Sequence, residues 1–462
     1  MTRAERFAGL ALVVLVVGLA LHNVAMAQLW ELGVRGGALD VFAAWKEALL
    51  LVALLVVVWN VRRLPAVTAA DVLALAYAVV IVAYAFLPQD WLGGDATTRG
   101  ELLALRHHLL PVAAYGLGRL VSEAWGGRRS LGDVIALTAG GLALVGLLDL
   151  GLVSLQSWRD SGVPGWFGEQ LSLQYEGLSG LPENWVYNTG DEENPIRRLV
   201  STLLSPLASA YLLVVGIVYV ASRSLRWWWG LLFVLLYAGL LYTHTRAAFG
   251  ALAFGLVVLA LAQRRLAPAV LAVATAAVGA AFLLAYPSIG PSTSYTQEEL
   301  EWLRENAERE PDETSGDPFA GSDSSTQSHW RNLRDGVDAV LDHPRGYGLG
   351  NAGVVAKRTG VPILAGESTY TELGIDAGVA GLAAFLLWSL ALLRGLWRRE
   401  AWLAAAFATV LLLGLQTDII GVHWIAFAVW AAAGLVVARR PRPGAAELEA
   451  EPRSGRDPEP PA

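Results

Sequence analysis

Residues 342–381 read DHPRGYGLGNAGVVAKRTGVPILAGESTYTELGIDAGVAG. The stretch leaves a long polar segment and opens an apolar helix, so it marks a place where the chain passes from water into an apolar phase. Gly346, Gly348 and Gly350 suit a backbone that turns sharply or lets a ligand approach closely. Glu367 stands at the mouth of the helix that follows, where an ionisable group faces water or a substrate brought to the membrane surface.

Working outward, the composition names that phase. Of 462 residues, 55% are hydrophobic and 16% charged. With a mean hydropathy of +0.47, a soluble globule would have no place for so much apolar sequence. The expectation is an integral, multi-pass protein of the cell inner (plasma) membrane. The net charge of −7 sits in loops and tail and gives no reason to expect nucleic acid as a partner. The absence of cysteine excludes disulfides, thiol-attached haem and Cys-ligated zinc. The first 28 residues have a basic start, a long apolar run and a small-residue end, as a secretory signal does. The run 7–27 is long enough to span, so it reads as an uncleaved first helix.

Twelve spans of roughly 20 residues are predicted, an all-α polytopic fold. They lie at 7–27, 40–60, 68–88, 102–122, 131–154, 199–221, 227–243, 246–262, 267–286, 368–392, 401–416 and 418–438. With this count, Arg62/Arg63, Arg119/Arg128/Arg129, Arg223/Arg226, Arg264/Arg265, Arg394/Arg398/Arg399 and Arg439/Arg440 all fall on one side, the cytoplasm, with both termini. Residues 1–286 then hold spans one to nine, with an outer loop at 155–198. Residues 287–367 form a large extracytoplasmic loop with two short helices, 368–438 hold the last three spans, and 439–462 make a disordered cytoplasmic tail.

The outer segments carry the chemistry. Trp158, Trp166, Phe167, Tyr175, Trp185 and Tyr187 suit the membrane interface first and sugar faces second. Arg197 and Arg198, at the outer start of span six, and Arg246, opening span eight, run against the basic-inside trend. They fit either snorkelling towards headgroups or an anionic ligand. Lys46, Glu47, Arg106, His107 and His108 are placed where they could face a shared outer cavity, though each also reads as a bundle contact; Asp149, Asp418 and His423 stay unassigned. Thr296 with Glu299 makes a capping box for a solvated, Glu-rich helix. From about Ser325 to Leu341, Trp330, Leu333, Val337, Val340 and Leu341 share one face, and Pro344 ends the helix. Such a helix is expected over the outer opening of the bundle, with His329, Arg331 and Arg334 near the substrate path.

These pieces together resemble the O-antigen ligase and O-antigen polymerase superfamily. Glu367-Ser368, nine residues, then Gly378-x-x-Gly381 repeats that family's His-Asn/Ser-(nine)-Gly-x-x-Gly pattern, with Glu367 standing where the family has histidine. Arg246-x-x-x-Gly250 is similar to its Ser-Arg-x-x-x-Gly segment, and the Trp330 helix ending in His343-Pro344 before a Gly-x-Gly-x-Gly turn is similar too. The resemblance implies a GT-C-like membrane glycosyltransferase with an extracytoplasmic site. It implies Arg246, with Arg197 or Arg198, on the pyrophosphate of an undecaprenyl-pyrophosphate-linked glycan donor.

Glu367 is then the base, or it holds the acceptor or orients His329 or His343; Arg331, Arg345 and Tyr370 are further substrate contacts. No cofactor and no metal are expected, since arginines supply positive charge and there is no Gly-rich phosphate loop. The acceptor is a glycan, a glycolipid or a protein hydroxyl. That leaves polymerase or ligase first and protein O-oligosaccharyltransferase next. A polysaccharide or lipid transporter or flippase is the reading from another class.

Overall fold

The structure, a computed structural model, describes residues 3–60, 65–121, 128–187, 193–224, 226–309, 324–362 and 368–437. Helices account for all regular structure among these except one antiparallel pair of two-residue strands, Val186–Tyr187 against Ile196–Arg197. Arg3–Glu31, Leu131–Leu152, Arg246–Gln263, Ala267–Ile289 and Thr369–Trp397 are each long and apolar enough to cross a membrane. The pair Gly37–Ala43 and Trp45–Asn60, bent by 45°, adds a sixth if taken together. Ala69–Tyr84, Pro206–Ala221, Trp227–Tyr242, Ala401–Leu413 and His423–Val437 are apolar but, at 10–17 residues, shorter than a full span. The fold is therefore all-α and polytopic, and five or six of the twelve anticipated spans qualify by length and composition alone. Arg62, Arg63, Glu367 and the tail from 438 onward, all singled out in the sequence, lie outside the described residues.

The hydrophobic pattern explains the layering. Ser209 to Val220 and Trp402 to Val410 are buried on every side, because these helices are apolar all round and stand at the centre of the bundle. Peripheral helices instead leave large apolar side chains bare: Val72, Leu75 and Val79 on one, Val270, Val273 and Leu284 on another. Exposed apolar rows on this scale are what a lipid-facing surface requires.

Two outer-segment expectations need correction. Trp166, Phe167 and Trp185 are core side chains rather than interface anchors, though Trp166 also lines a cavity wall. They are buried with Leu178, Leu181 and Val200 against Met26, Ala27 and Trp30 of the first helix, forming a second, smaller core. Segment 287–367 holds three described helices rather than two: Gln297–Arg309, Ser324–Asp342 and the unanticipated Gly353–Thr359. The capping box is present, with Thr296 N–H on Glu299 at 2.8 Å and Glu299 N–H on Thr296 Oγ1 at 3.2 Å. Glu299 itself is not solvated, however: it is buried and paired with Arg159 at 2.6 Å, pinning this helix to the 155–159 turn.

The quoted stretch builds one end of the bundle around a broken helix. Thr369–Trp397 loses helical geometry at Ala377 and Gly378 (φ 63°, ψ −173°), which frees backbone groups that lipid cannot satisfy. The glycine turn satisfies them: Tyr347 N–H donates to Ile375 O at 2.7 Å, and Val379 N–H donates to Pro344 O at 2.9 Å. The approach is so close that a Cβ on Gly346 would lie 2.4 Å from Gly378 N, and one on Gly378 would lie 2.6 Å from the Arg345 carbonyl carbon. Gly346, Gly348 and Gly350 all have positive φ, so the three glycines serve backbone packing.

Gly378→Ala is expected to destabilise the fold by about 1–3 kcal/mol from backbone strain alone, more if the glycine turn is displaced. Thermal unfolding of detergent-purified protein measures it; an unchanged midpoint contradicts the account of the break.

Candidate active site

Two groups of charged side chains gather where the glycine turn and the start of the broken helix meet the bundle. The first lies at the tight turn between Trp227–Tyr242 and Arg246–Gln263. Arg198 reaches into that turn, its Nε donating to Thr243 O at 2.9 Å and its Nη2 to Thr245 Oγ1 at 3.1 Å. Arg246 opens the next helix and lowers the Arg198 pKa electrostatically; burial, the larger cause, holds it down to about 10. His244 sits between them in sequence, with a left-handed backbone (φ 48°) and its ring 4.3 Å from Tyr187 and 4.5 Å from Tyr286. It is 4% exposed, and its Nε2 is buried without a hydrogen-bond partner. Burial first, then Arg198 and Arg246, push its pKa down to about 3, so the imidazole is neutral.

Arg197, the neighbour of Arg198, faces elsewhere. Its guanidinium is buried on Asp149 at 3.2 Å and on the Val153 carbonyl, and its strand position ties it to Pro291 O at 2.8 Å. Strand alternation separates the two: successive side chains point to opposite sides, so only one of an adjacent pair reaches the turn.

The second group lines two adjoining cavities of about 760 and 480 Å³ that share Leu103, Arg106, Arg358, Gly421, Val422 and His423. The larger also takes Asn332 and Asp335 from the amphipathic helix, Glu372 from the broken helix, and His107 with Asp418. His107 Nε2 lies 3.1 Å from Asp418, whose carboxylate also accepts the backbone N–H groups of Ile420 at 3.0 Å and Gly421 at 3.1 Å. Thr417 connects the two groups. It lines the larger cavity and hydrogen-bonds Tyr211, which is buried within electrostatic reach of Arg198.

The start of the broken helix meets the same seam. Ser368 caps it, accepting Tyr370 N–H at 3.3 Å, and Thr369 Oγ1 donates to Thr417 O at 2.9 Å. The family model described as O-Antigen ligase matches residues 231–386, from the helix before the arginine turn to just past the glycine break. The match supports the O-antigen ligase/polymerase superfamily for that segment. No curated protein matches the chain.

The remaining sequence candidates in the O-antigen ligase segment are engaged elsewhere. His343 Nε2 donates to Leu92 O at 2.7 Å and its ring stacks on Tyr347 at 4.3 Å. That Nε2–H leaves no acceptor for Arg345 Nε, 3.2 Å away, and the exposed Arg345 guanidinium lies over the Trp91 ring at 5.8 Å. Tyr370 OH donates to Leu411 O at 2.6 Å, fastening the broken helix to Ala401–Leu413. The amphipathic helix does flank the opening, but its Asn332 and Asp335 line the cavity, whereas Arg331 is exposed and His329 half-buried off the lining. Its apolar face is only half used: Val340 packs on Gly374 and Gly336 on Thr371, while Trp330 and Leu341 stay exposed.

Of Lys46, Glu47, Arg106, His107 and His108, read as facing one cavity, Lys46 and Arg106 line the smaller cavity and Arg106 and His107 the larger, while His108 turns inward to Asp376 at 3.0 Å; Asp418 and His423, unassigned in the sequence, join the lining. Lys46 and Glu47 meet at 3.6 Å although adjacent in sequence, and Glu47 also pairs with Arg106 at 3.3 Å. Sequence reasoning missed Arg99, Lys357, Arg358 and Glu372. Their one legible signal was outer basic residues against the charge trend, at Arg99 and at Lys357-Arg358.

His244 predicts a pH signature. Between about pH 3 and 6.5 the unfolded chain binds the proton and the folded one does not, so stability rises with pH across that window and falls on acidification. The slope from this group is about 1.4 kcal/mol per pH unit. His244→Phe, which keeps the ring packing, is expected to flatten the loss between pH 7 and pH 5 by about 2 kcal/mol. Denaturant unfolding at both pH values measures it; identical slopes would place the charge penalty elsewhere.

Proposed function

We propose that the protein transfers a glycan from an undecaprenyl-pyrophosphate donor to an acceptor hydroxyl on the extracytoplasmic side of the membrane, as an O-antigen or exopolysaccharide polymerase or ligase. The observation that carries this reading is the juxtaposition of Arg198 and Arg246 at one turn near the start of the matched segment, linked through Tyr211 and Thr417 to a cavity lined by carboxylates. Guanidinium groups bind phosphate oxygens in a fork and stabilise charge that grows as a leaving group departs.

The reaction is a single displacement. The acceptor oxygen attacks the anomeric carbon, the bond from that carbon to the phosphate oxygen breaks, and its electron pair leaves with undecaprenyl pyrophosphate. The configuration inverts, and the hydroxyl proton passes to a carboxylate. Glu367, preceding the cap of the broken helix, is the proposed base; Glu372, one turn further and lining the larger cavity, is its alternative. A positioned base contributes typically 10² to 10⁴ in rate. The arginines supply the positive charge and no metal takes part. Polymerase and ligase, like a protein O-oligosaccharyltransferase, differ only in the acceptor.

A transporter or flippase is favoured by one observation, the break at Ala377–Gly378, since broken helices mark transporter binding sites. Against it, the freed backbone groups are already satisfied by the glycine turn and offer nothing to a substrate.

In proteoliposomes given lipid-linked oligosaccharide and acceptor, undecaprenyl pyrophosphate should be released and a longer glycan formed; movement of intact lipid-linked glycan without release would favour the transporter. Arg246→Ala is expected to lower kcat by about 10²–10³ while the protein stays folded. Glu367→Gln should cost about 10² or more and Glu372→Gln little, a ranking whose reversal moves the base to Glu372. Loss of activity in EDTA with rescue by magnesium would remove the metal-free mechanism.

A further inference from the structure

The smaller cavity is out of electrostatic balance. Lys46, Arg99, Arg106 and Arg358 line it against a single carboxylate, Asp40, which already accepts a hydrogen bond from Gln170 at 2.8 Å. Arg106 is paired with Glu47 at 3.3 Å, but Arg358 has only the Leu171 carbonyl on its Nε at 3.2 Å. Among the described residues neither Arg358 nor Arg99 has a carboxylate within ion-pair distance. Burial, then Arg106 and Arg99, lower the Arg358 pKa, so two like charges act on a half-buried guanidinium. The wall also holds Trp166 and Trp424, both with buried indole N–H groups lacking a partner. Cations thus outnumber the one carboxylate lining this cavity, and a ligand carrying negative charge would balance them.

We propose that this cavity of about 480 Å³ binds the acidic portion, carboxylate or phosphate, of a saccharide, with Arg358 and Arg99 on the anion and the two indoles in the wall around the sugar. Because it opens through Arg358 and His423 into the carboxylate-lined cavity, the bound saccharide extends towards the proposed reaction centre. As an assignment of acceptor class, this rests on the glycan-transfer reading. The acceptor is an acidic glycan or glycolipid, and the pyrophosphate of the donor stays at Arg198 and Arg246. An anionic lipid headgroup shares the same chemistry and is distinguished below.

The test is direct binding to the full-length protein in nanodiscs of zwitterionic lipid, with no donor present, so its outcome is independent of whether transfer occurs. The probes are a uronic-acid tetrasaccharide and a neutral maltotetraose. The uronate is expected to bind at least about tenfold more tightly at low salt, with the preference shrinking as salt rises. Arg358→Ala should weaken uronate binding by about tenfold, and Arg358→Lys by less. Should Arg358→Ala unfold, as its melting curve would reveal, the exposed Arg99→Ala gives the same readout. Equal affinity for both probes, or wild-type affinity in a folded Arg358→Ala or Arg99→Ala protein, overturns the proposal. So does loss of uronate binding in nanodiscs of anionic lipid, which assigns the cavity to a headgroup. If uronate binding follows Arg358 while no glycan is transferred, the saccharide site stands and the transferase reading falls.

Discussion

The carboxylate of Asp376 is the junction on which the outer end of the molecule depends. It accepts the backbone N–H groups of Gly350 at 3.2 Å and Asn351 at 3.1 Å, and faces His108 Nε2 at 3.0 Å, all in the interior. Three pieces distant in sequence are joined there: the glycine turn, the first half of the broken helix, and the helix Thr98–Val121. Removing one partner from such a buried contact leaves a polar group unsatisfied, at a cost of about 1–3 kcal/mol. The walls of both cavities follow from that junction. Thr98–Val121 brings Arg99, Arg106 and His107, and the chain leaving the glycine turn enters Gly353–Thr359 with Lys357 and Arg358.

The break in the helix and the glycine turn solve each other's problem. A helix interrupted near lipid exposes carbonyl and N–H groups that need partners, and a turn with three positive-φ glycines has backbone groups free to supply them. Only glycine permits the two backbones to come this near.

The cations are arranged in two ways. Arg197 is matched by a carboxylate, whereas Arg198, among the described residues, is anchored by neutral oxygens. His244, wedged between aromatic rings in the same turn, stays neutral and so adds no further positive charge. Arg358 repeats the pattern of Arg198 in the neighbouring cavity, with a carbonyl as its sole hydrogen-bond acceptor among the described residues.

Much of the architecture could be read from local patterns. Apolar runs marked the helices, the Thr296–Glu299 pair marked a helix start, and the spacing of apolar residues to Pro344 marked the amphipathic helix, because each is set by neighbours within a turn or two. Arg198 and Arg246 were legible as outer charges against the trend. What the sequence by itself determined is thus an all-α membrane chain, two of the three described helices between 287 and 367, and the resemblance that the family match over 231–386 supports. Only the tertiary structure decided that Trp166 and Trp185 are core, that Arg197 and Arg198 part company, and that Arg99, Arg358, Glu372 and Asp418 share one mouth. Helix periodicity sets which residues lie on a face. Which faces meet is decided by packing between segments hundreds of residues apart, where burial and charge pairing are settled together.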